Sequence, residues 1–180
     1  MSTFYTGKGD DGKTSFFGCN ERSLKSGVRA EALGSLDEAN SLIGLCRARV
    51  CDDKNTSKLL LRAQEDLFVV QAEIAGSNKK IKQSRVVWLE KEIEKIATDL
   101  PEINTFLIAG ESELSALFDY ARTVARRAER ASVRLLEEGG VTLGKPLLAY
   151  LNRLSSLLYV LARREALKSG KVERAPKYGA

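Results

Sequence analysis

Hydrophobic positions recur at helical spacing from residue 34 onward, and the stretch before it shows no such period. Leu36, Ala39, Ile43, Cys46 and Val50 follow one another at steps of three and four, the mark of a single buried helix face. In front of them Ser35-x-x-Glu38 has the form of a capping box, which predicts a first helix starting with Ser35 as N-cap. A second helix is predicted over 57–75, apolar on several sides and therefore central in a bundle, ending at Gly76-Ser77-Asn78. A third begins after Ser84, carries Val87, Trp88, Leu89, Ile93 and Ile96, and stops before Pro101.

Residues 101–111 form a loop containing Phe106-Leu107-Ile108-Ala109-Gly110. Ser112 caps a fourth helix that ends at Gly139-Gly140, and Pro146 marks the start of a fifth that runs to Lys168 before Ser169-Gly170. Strand-type alternation is weak throughout, and there is no internal repeat. The expected fold is all-α, a five-helix up-and-down bundle in one domain over 1–180: an N-terminal loop (1–33), the bundle (34–169) and a C-terminal tail (170–180).

Composition narrows the chemistry. With 180 residues, 43% of them hydrophobic and 29% charged, the chain can bury a core without disulfide or metal. Three cysteines (Cys19, Cys46, Cys51) without a Cys-x-x-Cys pair fit a reducing compartment and no zinc site. No apolar run has the length of a membrane span, and the N-terminus lacks the apolar core of a signal peptide, so a cytoplasmic protein is expected. Histidine is absent, which removes the commonest general base, metal ligand and triad member. The net charge of +5 suits a nucleic acid or an anionic small molecule equally.

Two segments carry candidate chemistry. Residues 6–15 read Thr-Gly-Lys-Gly-Asp-Asp-Gly-Lys-Thr-Ser, with Lys25 following. Glycines allow the backbone to approach an anion, while Lys8, Lys13 and Lys25 supply charge and Thr6, Thr14 and Ser15 supply hydroxyls. This is not a Walker A loop, and it serves either as a polyphosphate-wrapping loop or as a polar tail. On the fourth helix Leu114, Leu117, Ala121, Val124, Ala128, Ala131 and Leu135 form a packing seam. Arg122, Arg126, Arg130 and Arg134 recur every four residues and drift about 40° per step, on the flank and back of that seam. The stripe is either a solvated basic face or, where a second subunit covers it, a phosphate site built from guanidinium forks. On the fifth helix Leu147, Leu151, Leu154, Leu158 and Leu161 form the seam, with Asn152, Ser155 and Tyr159 as a polar strip beside it.

Three ordered motifs together resemble the ATP:cob(I)alamin adenosyltransferases of the propanediol-utilisation type. They are Thr6-x-x-Gly9-Asp10-x-Gly12-x-Thr14-Ser15 with Arg22, Lys25, Arg29, Glu31 and Gly34-x-x-Asp37-Glu38-x-Asn40; Arg122 to Arg130; and Tyr150-Leu151-Asn152-Arg153-Leu154-Ser155. The resemblance implies a homotrimer with an ATP and corrinoid site between subunits. By it, Thr6, Gly7, Lys8 and Gly9 wrap the ATP, and Thr14, Ser15 and Lys25 meet its phosphates. Arg126, Arg127, Glu129, Arg130 and Asn152 contribute from the other side of the cleft, with Arg126 on the leaving group. Asp37 and Arg122 match an ion pair across the subunit boundary, and Phe106 an aromatic beneath the corrin ring that displaces the lower axial ligand of cobalt. The chain departs from the family pattern at Leu107-Ile108-Ala109-Gly110-Glu111, where Leu-Pro-Gly-Gly is usual, and at Gly7, where a basic residue is frequent.

The implied reaction moves the 5′-deoxyadenosyl group of ATP, bound with Mg²⁺, to the cobalt of cobalamin and releases triphosphate. A flavoprotein is the implied electron donor; no nucleic acid, membrane or protein-held metal is expected. Two other readings use the same residues. A nucleic-acid-binding bundle is opposed by Glu129, Glu137 and Glu138 within the basic stripe and by 24 acidic against 29 basic residues. A kinase-like transferase would require a carboxylate base, for which Asp10 or Asp11 is available, and gives Phe106 no role.

Overall fold

Favourable helix formers and buried contacts start the first helix well before the predicted cap. In the computed structural model, which describes residues 4–17, 21–50, 52–139 and 141–179, helix α1 spans Val28–Arg49 with Gly27 as an extended N-cap. Cys19, Cys51 and Gly140 lie outside the described residues. Ser35 is not a cap: it is buried inside α1, and its hydroxyl donates to the Glu31 carboxylate one turn back, at 3.4 Å. The reason is energetic. A helical glycine costs about 1 kcal/mol relative to alanine, and burial of Ala32 and Leu36 one turn apart outweighs that cost at Gly34.

Helix α2 spans Lys54–Ile74, starting earlier than predicted because Asp53 caps it. Its place in the bundle also differs from expectation. Its covered apolar stripe is Leu60, Ala63, Leu67, Val70 and Ile74, packed chiefly on α1, with Thr56, Asp66 and Glu73 also buried, while Phe68 on the outer side is 63% exposed. The central helices are instead α1, α4 (Glu113–Glu138) and α5 (Lys145–Lys168), with α4 packed on both of the others. Helix α3 (Gln83–Ala97) covers α5 and buries Val86, Leu89 and Ile96, while Val87 turns outward because it is out of phase with that face.

Local signals set the two longest helices correctly. The Ser112 hydroxyl accepts from the Ser115 N–H at 3.2 Å, Gly139 closes α4, and Pro146 sits in the first turn of α5. Because α4 meets two helices, its buried face is wider than the seam read from sequence and includes Phe118, Ala125 and Ser132. The five predicted leucines of α5 are all buried. Ion pairs Arg49–Glu113 and Arg127–Glu38 run α1 and α4 antiparallel. Asn152–Glu129 and the stacking of Arg122 on Tyr159 do the same for α4 and α5.

A polar clamp joins the start of α2 to the end of α5. Asp53 accepts from the Thr56 N–H at 3.0 Å and hydroxyl at 2.7 Å, and faces Arg164 at 3.4 Å and Lys168 at 3.3 Å. Desolvation pushes its pKa up, but the Thr56 hydrogen bonds and the two cations outweigh this and bring it down to about 2. Since the unfolded value of 3.8 is higher, this stabilisation is complete above pH 4 and is lost as pH falls through 2. Asp53→Asn is expected to cost about 1 kcal/mol at pH 7, with the deficit shrinking towards zero near pH 2 in urea titrations. A deficit that does not change with pH would place the cost in the cap alone.

The segment before α1 is not a featureless loop. Strands β1 (Lys13–Ser15) and β2 (Arg22–Leu24) pair antiparallel, with Lys13 opposite Leu24 and Ser15 opposite Arg22. This ribbon lies where α1 begins and α2 ends. Arg29 donates to the Ile74 carbonyl at 2.8 Å and stacks 4.8 Å over the Phe16 ring. Gly76 turns the chain there with φ +95°, and a Cβ on it would stand 3.2 Å from the Phe17 carbonyl.

Candidate functional site

The predicted site residues fall into two groups at different heights on the bundle. The first is the N-terminal ribbon. Gly7 and Gly12 take φ values of +68° and +76°, which L side chains rarely adopt, so the turns around Lys8 and Asp10 require them. Lys25 donates to the Gly9 carbonyl at 2.7 Å, and a Cβ on Gly9 would stand 3.0 Å from the ammonium. The Thr6 hydroxyl accepts from the Lys8 N–H at 3.4 Å. Thr14 and Ser15 lie on β1, and Lys8, Lys13, Ser15 and Lys25 are exposed.

Arg22 organises this group, a role that residue type alone does not disclose. Its guanidinium holds both Asp11 oxygens, at 2.6 and 2.8 Å, together with the Lys13 carbonyl at 2.9 Å and the Lys8 carbonyl. The hydrogen bonds from Arg22 and from the Lys13 N–H hold the Asp11 carboxyl below its usual range. A carboxylate so engaged is a poor proton acceptor, which leaves Asp10 rather than Asp11 as the base that the kinase-like reading would need.

The second group surrounds a cleft of about 450 Å³ between α4, α5 and the 101–111 loop. Phe106 and Leu107 enter from the loop, Asp119, Arg122 and Arg126 from α4, and Ser155, Ser156, Tyr159 and Val160 from α5. Phe106 is 80% exposed at its edge. Arg126 and Arg130 are exposed and make no hydrogen bond or ion pair among the described residues. Their neighbours are engaged: Arg127 with Glu38 on α1, and Asn152 with Glu129 at 3.0 Å and with Arg153 at 2.9 Å. The sequence picked out Ser155 and Tyr159 as a polar strip, but Asp119 and Ser156 carried no signal in it.

Asp37 and Arg122 are not paired within the chain. Arg122 is held by Asp119 at 2.7 Å and lies 5.8 Å from the centre of the Tyr159 ring, while Asp37 is exposed on α1 and has no ion pair among the described residues. The ribbon and the cleft are likewise separate. Since α1 and α4 are antiparallel, the ribbon lies towards the C-terminal end of α4, and the helix rises about 18 Å between Arg126 and that end. No described residue of the ribbon lines the cleft. Among the described residues no helix is long and apolar enough to cross a membrane.

The model of the cobalamin adenosyltransferase family matches residues 4–165. The corrinoid adenosyltransferase PduO of Salmonella typhimurium is 37% identical over 168 residues, covering 89% of this chain and 49% of that protein. A corrinoid adenosyltransferase of Bacillus subtilis is 34% identical over 173 residues, covering 92% of this chain and 88% of that protein. The chain thus spans about half the length of the PduO relatives it matches. Among solved structures, a phenylalanine-to-alanine variant of a PduO-type ATP:corrinoid adenosyltransferase from Lactobacillus reuteri, complexed with cobalamin and ATP, superposes with a TM-score of 0.90 at 28% identity. That match covers 97% of this chain and 99% of that one.

Proposed function

The chain belongs to the cobalamin adenosyltransferase family, and from that premise we propose that it transfers the 5′-deoxyadenosyl group of ATP to the cobalt(I) of a reduced corrinoid such as cob(I)alamin. A cobalt–carbon bond forms, the bond from C5′ to the triphosphate oxygen breaks, and triphosphate leaves with the electron pair. The observation that carries this reading is the cleft itself: it sets Arg126, which no described residue engages, beside an exposed aromatic.

Cobalt(I) attacks through a filled orbital that carries no proton, so the reaction requires no general base, in keeping with a chain that has no histidine. The departing triphosphate requires cations instead. Arg126 and Arg130 on α4, with Lys25 and the hydroxyls of Thr14 and Ser15, supply them alongside the Mg²⁺ that accompanies ATP. Thr6, Gly7, Lys8 and Gly9 wrap the nucleotide, and Glu129 with Asn152 fixes the face of α4 and α5 turned towards it. Phe106 lies under the corrin ring.

In this reading the site is completed between chains. The distance between ribbon and cleft within one chain favours an assembly in which the ribbon of one subunit reaches the arginines of the next, a homotrimer by the family resemblance. Exposed Phe4, Tyr5, Phe17 and Leu24 on and around the ribbon give that contact an apolar part. The chain is taken as a single domain of ribbon, bundle and tail, located in the cytoplasm and supplied with electrons by a flavoprotein. Asp37 pairs across the boundary with Arg122, which exchanges its own-chain partner Asp119 for it. Asp37→Asn is therefore expected to weaken the trimer about tenfold and raise the KM for ATP, since one half of an ion pair is left uncompensated. Sedimentation over a dilution series checks it, and unchanged assembly would remove the pair.

The function is tested anaerobically with chemically reduced cob(I)alamin, ATP and Mg²⁺. Protein-dependent loss of the cob(I)alamin absorbance, with a light-sensitive product and triphosphate released in equal amount, is expected. No conversion in a sample that binds ATP would return the kinase-like reading.

A further inference from the structure

The C-terminal tail is tied to the loop that carries Phe106 at both ends of that loop. Arg163, one turn beyond Tyr159 on α5, is only 7% exposed, and the Nε and Nη2 of its guanidinium are both engaged. It donates to the Glu173 carboxylate of the tail at 2.8, 2.9 and 3.3 Å, and to the Pro101 carbonyl at the start of the loop at 3.0 Å. Further along, the Ile108 N–H donates to the Arg174 carbonyl at 2.8 Å, and the Arg174 guanidinium lies 3.8 Å from Glu111. Leu107, next to Phe106, faces both the cleft and a second groove of about 430 Å³ between loop and tail.

These contacts matter because little else holds the loop. Residues 101–111 have no regular secondary structure, and Phe106, Ile103 and Ile108 are substantially exposed. A flexible loop would place the aromatic ring in many positions, and selecting one on binding would cost conformational entropy. A forked, nearly buried pair removes that cost in advance. Its components lie outside the arginine cluster and outside the ribbon, so the device acts on one side of the cleft only.

We propose that Arg163 and Glu173 are positioning residues for the corrinoid: by clamping the tail to the 101–111 loop they hold Phe106 at the mouth of the cleft. This rests on the adenosyltransferase reading. Neither residue lines the cleft beside Arg126, so ATP handling is expected to be independent of them.

Glu173→Ala in the full-length chain is the test, with Glu173→Gln, which keeps one acceptor for Arg163, as the milder variant. Hydrogen exchange in the substrate-free protein is expected to speed up about tenfold at the Ile108 amide in Glu173→Ala, and less in Glu173→Gln. The KM for the corrinoid is expected to rise about tenfold while that for ATP stays within about twofold, because only the ordering of the corrinoid side is lost. The fraction of bound cobalt(II) with a four-coordinate spectrum is expected to fall in step. If Glu173→Ala does not fold, Glu173→Gln carries the same comparison. Unchanged exchange at Ile108, or faster exchange with unchanged corrinoid KM and spectrum, overturns the proposal. Failure of the parent protein to bind any corrinoid is a different result: it removes the function, and with it the loop's role, whatever the exchange data say.

Discussion

Arg126→Ala is expected to slow adenosyl transfer about 10²- to 10³-fold with fold and assembly intact, the range set by deletion of one preorganised group facing developing charge. The expectation rests on where the residue stands. Arg126 lines the cleft, is exposed, and has no partner among the described residues, so its removal orphans nothing in the bundle. The loss therefore belongs to the reaction. As the bond to C5′ stretches, negative charge concentrates on the triphosphate, and a cation fixed nearby stabilises that state more than bound ATP. Kinetics should show this as a large fall in kcat with a smaller change in the KM for ATP. Arg126→Lys should recover part of the rate, since it restores charge without the planar fork. Arg127 offers the contrast on the same helix: it is engaged with Glu38 across α1 and α4, and that contact lies at the surface, with both side chains about half exposed. If Arg126→Ala turned over at a rate within about threefold of the parent, the leaving group would have to be met by other cations.

How much of this was legible in the sequence depended on whether the deciding signal was local. Ser112, Gly139 and Pro146 act through their own backbone neighbours, and the helix ends they mark agree with the fold. Ser35-x-x-Glu38 has the same local form, yet tertiary burial of Ala32 and Leu36 carried the helix through it. The ribbon went unread because its strands have three residues each and no apolar alternation; it is held by Arg22 gripping Asp11 and two carbonyls, a pattern without period. The apolar wealth of α2 was visible, but not which side would be covered. Phe106 was chosen from a loop far from the Arg122 to Arg130 motif, and the fold brings it to one cleft with Arg122 and Arg126. Asp37 and Arg122 do not pair within the chain, where Asp119 holds Arg122, so the fold of one chain carries no sign of the proposed pair.

Phe106→Ala should separate two steps that a single rate constant merges. With cob(I)alamin already formed, the nucleophile exists and the loss is expected to be a few-fold, from contact area alone. Starting from cobalt(II) and a reductant, the loss is expected to reach about tenfold to hundredfold, because each loss of about 1.4 kcal/mol costs a factor of ten. The difference arises at the metal. A water or base on the lower face raises the orbital that must accept the electron, and an aromatic ring pressed there leaves no room for either. Phe106 has the exposure this requires. Without substrate it is 80% exposed, so its apolar surface is available to be covered when the corrinoid enters. Covering a phenylalanine contributes about 2 kcal/mol, enough to compete with a weak axial ligand. The altered residues after it, Leu107 to Glu111, do not bar this placement, since the loop still brings Phe106 and Leu107 to the cleft. Electron paramagnetic resonance of cobalt(II) bound with ATP reads the outcome directly. A four-coordinate signal should be present in the parent and replaced by a five-coordinate one in the variant, at unchanged ATP affinity. Equal losses from both starting states, with the four-coordinate signal intact, would make Phe106 a packing residue and leave exclusion of the ligand to Tyr159 and Val160 on the opposite wall.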